Sequence, residues 1–349
     1  MTLRIRHETL KLHLREPFRI ARSDHGTGDL VTTVIVELED DRFPGIVGLG
    51  EGYPDRFYGD TPETMAAVYP LLLGSIGEPD PSPEGLRAAG AAMQTAIRWN
   101  GGAKCAVDTA LHDLVGKITG RPVWDLLGLS PEIPPTDFTL GLDEPAVVAE
   151  RARRASGFPA LKIKCGGPAD VATLRAVREV YEGPIRIDAN TGWTPEIART
   201  LLPDLIALDV ELIEQPFPAA RLDWMADLQQ HSELPIVADE SCVTDEDLDG
   251  LVGVVAGVNV KLAKVGGPGP AARMLARAGD LGFRRFIGCM EETSVVIAAS
   301  AACASLVEWA DLDGCLLLAD DPFEGLALGP DHRWRLDARP GLGVARTRV

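Results

Sequence analysis

The chain has 349 residues, of which 46% are hydrophobic and 25% charged, the proportions of a folded globular protein rather than a disordered or fibrous one. That length exceeds the ~250 residues of a bare (β/α)8 barrel, so a barrel with a smaller companion domain is the natural partition. A formal net charge of −18 argues against nucleic acid or an anionic membrane as partner, since both select basic surfaces.

The opening residues Met1-Thr-Leu-Arg-Ile-Arg-His7 alternate apolar and polar side chains and lack the apolar core of a signal peptide. The longest apolar-rich stretches, 251–260 and 295–307, are shorter than the ~18 residues that cross a bilayer. A cytoplasmic, homo-oligomeric protein is expected. Cys105, Cys165, Cys242, Cys289, Cys303 and Cys315 form no CxxC pair and lie in apolar segments, so buried, reduced thiols are expected rather than disulfides or a zinc site.

Residues 1–53 read as three strands, over 3–14, 30–38 and 45–53, with a loop of turn formers and charges at 17–26 and a second loop at 54–60. Thr61-Pro62-Glu63 supplies an N-cap, a proline at the first helical position and an early acid, opening a helix that runs to about Leu73. Further helices are predicted over 83–99 and 103–118. The last places Ala106, Val107, Ala110, Leu111, Leu114 and Val115 on one apolar stripe. Together these make an α+β capping domain over 1–125.

From 126 to 322 the pattern alternates strand and helix, with strands near 136–142, 160–165, 184–190, 211–216, 235–240, 257–262, 284–290 and 309–313. Seven strand–helix intervals and a final strand predict a (β/α)7β barrel, a modified (β/α)8 or TIM type. A doubly wound sheet is the alternative, but it gathers ligands at one switch point, whereas here strand after strand ends in an ionisable residue. The segment 323–349, with Trp334 and several prolines, is expected to return onto the capping domain.

The loaded strand ends are Lys162 with Lys164, Asp188, Glu214, Asp239 and Lys261. From Lys162 they follow one another at 26, 26, 25 and 22 positions, about one βα unit each time. Burying a lone charge costs several kcal/mol unless it is paired or metal-bound, so the series implies one shared site at the carboxyl ends of barrel strands. Asp188, Glu214 and Asp239 end consecutive strands and would repel one another unless a cation sat among them. Oxygen ligands without His or Cys select Mg²⁺ or Mn²⁺. Capping of the following helix explains one such acid better than three at this period.

Lys162 and Lys164 share one strand face, and Lys261 lies across the barrel mouth. Opposed lysines suit a reaction in which one removes a proton and the other delivers one. A neighbouring ammonium, Lys162, and a divalent cation are expected to lower the pKa of Lys164 toward that of a useful base. Lys264 and Lys117 read as outward-facing, solvated lysines.

Lys-Ile-Lys at 162–164, Asp-Ala-Asn-Thr-Gly-Trp at 188–193, Glu-Gln-Pro at 214–216, Ala-Asp-Glu-Ser at 238–241 and Asn-Val-Lys-Leu at 259–262 together resemble the enolase superfamily in its muconate-lactonizing branch. The resemblance runs along the whole chain. It implies Mg²⁺, replaceable by Mn²⁺, held by Asp188, Glu214 and Asp239, with Lys164 and Lys261 as acid/base catalysts and Lys162 beside them. It also implies a first step in which the proton α to a carboxylate is abstracted to give an enediolate.

Asp311 and Asp313 lie two apart on the eighth strand, hence on one face, and too far around the barrel to join the metal trio. Two inward carboxylates there suit a substrate ammonium. The motif is similar to the Asp-x-Asp of dipeptide epimerases, which holds the ammonium of an L-Ala-containing dipeptide while the C-terminal residue is epimerised. The superfamily's o-succinylbenzoate synthesis, N-succinylamino acid racemisation and muconate cycloisomerisation need no such clamp, and a non-catalytic metal-binding barrel would need neither opposed lysine.

Cys289 and Met290 end the seventh strand, where they either line the pocket or pack into the core. By analogy with the family, the loops at 17–26 and 54–60 read the substrate side chain. Arg22 or Arg19 would meet the carboxylate of an L-Ala-D/L-Glu substrate, Asp24 would favour a cationic or neutral one, and His25 lies within substrate reach. Gly266-Gly-Pro-Gly269 lacks the Lys-Ser/Thr of a phosphate loop and reads as a link from strand to helix.

Overall fold

A computed structural model of the chain describes residues 3–21 and 29–347; Arg22, Asp24 and His25 lie outside them. Strands β1 (Leu3–His13), β2 (Leu30–Asp40) and β3 (Val47–Gly52) form an antiparallel sheet in that order. Helices α1 (Pro62–Ile76), α2 (Pro83–Ala96) and α3 (Gly101–Thr119) follow. The predicted start of α1 is present as a reciprocal cap: the Thr64 N–H donates to Thr61 Oγ1 at 3.2 Å and the Thr61 N–H to Thr64 Oγ1 at 2.8 Å. Helix α2 stops short of the predicted 99, because Ile97 takes extended backbone, φ −152° and ψ 141°, and Trp99 and Asn100 beyond it take φ of 60° and 61°.

Glycines alternate along β3 for a steric reason. A Cβ on Gly48, Gly50 or Gly52 would lie 2.1, 2.0 or 2.1 Å from the carbonyl oxygens of Ala110, Ala106 or Gly102, so α3 rests on the sheet backbone to backbone. The single apolar stripe predicted for α3 understates its burial, since every residue from Gly102 to Gly116 is buried. The second buried face is polar and packs on the rest of the chain. Asp108 accepts the Gly269 N–H at 2.9 Å, and Asp113 accepts those of Leu49 at 2.7 Å and Leu342 at 2.8 Å.

After α4 (Val123–Leu126) the chain enters one parallel sheet. Its strands are β4 (Phe138–Leu140), β5 (Leu161–Lys164), β6 (Ile185–Asp188), β7 (Val210–Glu214), β8 (Ile236–Ala238), β9 (Gly257–Lys261), β10 (Arg284–Gly288) and β11 (Trp309–Ala310), neighbours in that order. The barrel closes where Thr136 bridges Ala310 in parallel and the Asp137 N–H donates to the Ala310 oxygen at 2.9 Å.

Helices α5 (Pro145–Arg154), α6 (Asp170–Arg178), α7 (Pro195–Ala207), α8 (Leu222–His231), α9 (Asp247–Leu251), α10 (Leu262–Val265) with α11 (Pro268–Asp280), and α12 (Ser294–Cys303) fill the seven intervals. This is the (β/α)7β barrel the alternation predicts. Side chains alternate along each strand, so Ile163, Ile187 and Ile213 face the helices while Leu212, Val237, Phe286 and Trp309 plug the interior.

Beyond Pro322 the chain makes two short antiparallel pairs, Phe323–Glu324 with Ala345–Arg346 and Ala327–Leu328 with Trp334–Arg335. Trp334 Nε1 donates to the Leu312 oxygen at 2.9 Å, and the Val123 N–H donates to the Gly341 oxygen at 3.0 Å. Arg346 pairs with Glu8 of β1.

The first domain is fastened over the barrel mouth by Glu51 of β3. Fully buried, it accepts Thr33 Oγ1 at 2.8 Å, and the N–H and Oγ1 of Thr293, at the start of α12, at 2.9 and 2.6 Å. All six cysteines are buried and unpaired. Among the described residues no helix is long and apolar enough to cross a membrane.

Candidate active site

Parallel register places Lys164 beside Asp188 and Asp188 beside Glu214, the last residues of their strands. Asp239 follows β8 directly. The three carboxylates offer oxygens within 4.8 Å of one another, and all are buried. Each is held from outside by one oxygen. The Asn190 N–H donates to Asp188 Oδ1 at 2.9 Å, Asn259 Nδ2 to Glu214 Oε1 at 2.8 Å, and Lys264 Nζ to Asp239 Oδ1.

Glu214 Oε2 and Asp239 Oδ2 are left buried without a hydrogen bond. Their ammonium neighbours, Lys162 at 2.8 Å and Lys261 at 3.0 Å, lie outside hydrogen-bonding geometry. Buried oxygens in this condition call for a partner. A hard divalent cation fits the all-carboxylate donor set.

The electrostatics are those of a crowded ionic centre. Burial, with Asp188 adding to it, pushes the Glu214 carboxyl up to about 7. Burial also acts to raise Asp188 and Asp239, but Lys164 and Lys162 at the first, and Lys261 and Lys264 at the second, outweigh it and hold both below the usual range.

At Lys162 and Lys261 the net shift is upward. Burial pulls each ammonium down, yet Asp311, Glu214 and Asp188 around Lys162, and chiefly Asp239 beside Lys261, overcome it and hold both above the ordinary lysine value. Counter-charges at about 3 Å outweigh desolvation.

The pocket above this layer is lined by Lys164, Lys261, Asn190, Thr139, Cys289, Met290, Asp311 and Asp313 from the barrel, and by Phe18, Ile20, Tyr53 and Asp55 from the first domain. Lys164 is 2.7 Å from Asp188 Oδ2. Lys162, expected among the catalytic groups, has no exposed side-chain surface and does not reach the pocket. It sits below as counter-charge.

Asp311 Oδ2 receives Lys162 at 2.8 Å and Oδ1 receives Thr139 Oγ1 at 2.9 Å, while Asp313 Oδ2 accepts the Thr139 N–H at 2.6 Å. Cys289 Sγ lies 4.0 Å from Asp313 Oδ1. Against the effect of burial, Lys162 keeps Asp311 below the carboxylate range; burial and the charge of Asp311 drive Asp313 well above it. The pair thus favours a single negative charge until a further cation joins it.

Sequence reasoning missed several supports. Lys264, read as solvated, is buried, because the one-turn α10 folds it back under β8 and β9 to reach Asp239. Lys117 is half-buried and spans from Asp113 Oδ2 at 2.6 Å to the Val47 oxygen at 2.9 Å. Asn259 and Thr139 carry roles that strand alternation could have suggested, both facing the barrel interior. Arg19 does not line the pocket, whereas Glu291, which accepts Tyr53 Oη at 2.9 Å, does.

A barrel whose mouth sets a carboxylate trio between two opposed lysines, beneath an α+β cover, defines a metal-assisted proton-transfer enzyme of the (β/α)7β class. Residues 146–347 match the enolase C-terminal domain-like family, and residues 1–128 the N-terminal domain of mandelate racemase / muconate lactonizing enzyme; the chain belongs to this family.

The chain is 36% identical over 339 residues to an L-Ala-D/L-Glu epimerase of Bacteroides thetaiotaomicron, covering 96% of this chain and 86% of that protein. It is also 36% identical over 340 residues to a hydrophobic dipeptide epimerase of Roseobacter litoralis, covering 93% of each. The dipeptide epimerase from Enterococcus faecalis V583, in its crystal structure complexed with Mg and the dipeptide L-Leu-L-Tyr, matches with a TM-score of 0.89 at 33% identity, covering 99% of this chain and 100% of that one.

Proposed function

We propose that the protein is a Mg²⁺-dependent dipeptide epimerase that inverts the α-carbon of the C-terminal residue. The observation that carries this reading is the placement of Asp311 and Asp313 in the same pocket as Lys164 and Lys261. An ammonium clamp beside a two-lysine proton-transfer site selects a substrate with a free amino terminus and an acidic α-proton. The L-Ala-D/L-Glu and hydrophobic dipeptide epimerases among the relatives, and the L-Leu-L-Tyr complexed with the Enterococcus faecalis enzyme, support the dipeptide class while differing in side chain.

In this reading Asp188, Glu214 and Asp239 hold the cation, which stabilises negative charge developing on the substrate carboxylate when bound. Asp311 and Asp313 take the ammonium. Lys164 and Lys261 stand on opposite faces of the α-carbon; whichever is neutral removes the proton, and the protonated partner delivers one to the other face. The surrounding positive charge is already in place and stabilises the developing negative charge more than it stabilises the substrate.

The same reading divides the chain at 125 and 322 into cover, barrel and returning tail. It places the protein in the cytoplasm, in keeping with six buried thiols and no disulfide.

Incubation with Mg²⁺ and L-Ala-L-Xaa dipeptides in D₂O tests the proposal. Deuterium should enter the C-terminal α-position, Lys164→Ala and Lys261→Ala should each abolish epimerisation, and each should keep exchange from only one antipode. Unchanged turnover in both variants would refute the two-lysine mechanism.

A further inference from the structure

Lys264 lies three residues beyond Lys261, and its side chain has no exposed surface. Its Nζ donates to the backbone oxygens of Asp239 at 2.7 Å, Cys242 at 3.0 Å and Asn259 at 3.0 Å, and to Asp239 Oδ1. An ammonium has three protons, so these acceptors saturate it and leave nothing for substrate or water. Asp239 is therefore flanked by two unlike lysines. Lys261 meets Oδ2 and lines the pocket; Lys264 meets Oδ1 and is pinned by three carbonyls. The other two carboxylates of the trio have ammoniums at their inner oxygens, Lys164 at Asp188 Oδ2 and Lys162 at Glu214 Oε2, but their outer oxygens are propped by neutral donors, the Asn190 N–H and Asn259 Nδ2.

We infer that Lys264 is a positioning residue that keeps Asp239 divided between the cation site and Lys261. By occupying Oδ1 it fixes the carboxylate with Oδ2 turned toward Asp188 and Glu214, and it prevents Asp239 from closing on Lys261 through both oxygens. Lys261 then stays able to exchange its proton instead of being locked in a buried two-oxygen ion pair. The inference rests on the proposed roles of the trio and of Lys261.

Lys264→Met removes both the prop and the charge. Titration of the purified protein with Mg²⁺ alone, followed calorimetrically, should show affinity at least about tenfold weaker, the range typical for loss of a group that orients a ligand. α-Proton exchange should fall much further from the antipode that depends on Lys261 than from the one that depends on Lys164, the two being assigned with the alanine variants. If the variant does not fold by circular dichroism, Lys264→Gln, which keeps two donors without the charge, carries the same two readouts. Mg²⁺ affinity within twofold of the parent, or equal slowing of both antipodes, would overturn the inference. A parent protein that neither binds Mg²⁺ nor exchanges any dipeptide would instead overturn the proposed function.

Discussion

Lys162 and Asp311, 149 positions apart in the chain, meet at 2.8 Å inside the barrel. The same ammonium lies 2.8 Å from Glu214 Oε2, so one buried charge joins the cation trio to the clamp that follows the eighth strand. Removing it strands carboxylates on both sides. Lys162→Met is expected to cost about 3–5 kcal/mol of stability, the penalty for breaking a buried pair from one end. Mg²⁺ affinity and dipeptide KM should worsen together. Urea unfolding and calorimetry check this, and a variant as stable as the parent would show that the carboxylates protonate and relax instead.

Asp311→Asn keeps the side-chain volume and deletes the charge that faces a substrate ammonium. KM for L-Ala-L-Xaa dipeptides should rise at least about tenfold, the loss of one charge-assisted contact of about 1.5–3 kcal/mol. An N-succinylated amino acid, which has no ammonium, should lose little. Comparing the two substrates by deuterium incorporation decides the point; equal losses on both would assign Asp311 to support of Lys162 alone.

The charged strand ends are legible in sequence because strand alternation and the βα period are local rules, and they place Lys164, Asp188, Glu214 and Lys261 in one layer before any contact is known. Asp311 and Asp313 reach the same pocket from just beyond β11, which ends at Ala310, so the predicted strand is shorter than its sequence pattern although the placement of the pair holds. What escapes the local rules depends on contacts between distant segments. The four-residue α10 turns Lys264 inward, against its reading as a surface lysine, and the polar face of α3 is buried by the barrel and the returning tail. The direction of the lysine pKa shifts is likewise invisible without distances, since it depends on whether carboxylates or ammoniums stand nearer.

Glu292 predicts a pH dependence of stability. It is buried beside Glu51, Oε2 accepts the Met290 N–H at 3.0 Å, and Oε1 has no hydrogen bond. Burial, with Glu51 adding to it, pushes its pKa from 4.5 up to about 8. Because the folded protein holds the proton more tightly than the unfolded chain, this group costs nothing below about pH 4.5. Its penalty grows as pH rises toward 8, at ~1.4 kcal/mol per pH unit. Glu292→Gln, which cannot ionise, should flatten that part of the stability curve and be the more stable form at pH 8. Denaturant midpoints measured from pH 5 to 9 would contradict this if the two proteins ran parallel.

Glu291 predicts where side-chain preference can be altered. It stands on the pocket wall where the first domain meets the barrel, accepts Tyr53 Oη at 2.9 Å, and shares that wall with Asp55. A carboxylate there attracts a cationic substrate side chain and repels an acidic one. At an effective dielectric near 20, a unit charge some 8 Å away contributes about 2 kcal/mol, and screening at the mouth reduces this. Glu291→Gln removes the charge while leaving an oxygen to accept from Tyr53. The ratio of kcat/KM for L-Ala-L-Lys over L-Ala-L-Glu should therefore fall, by about tenfold, with turnover of an uncharged dipeptide such as L-Ala-L-Leu nearly unchanged. Competition among the three dipeptides in D₂O, read by mass spectrometry, measures the ratio directly. A ratio that does not move would mean that the substrate side chain is read elsewhere than on this wall.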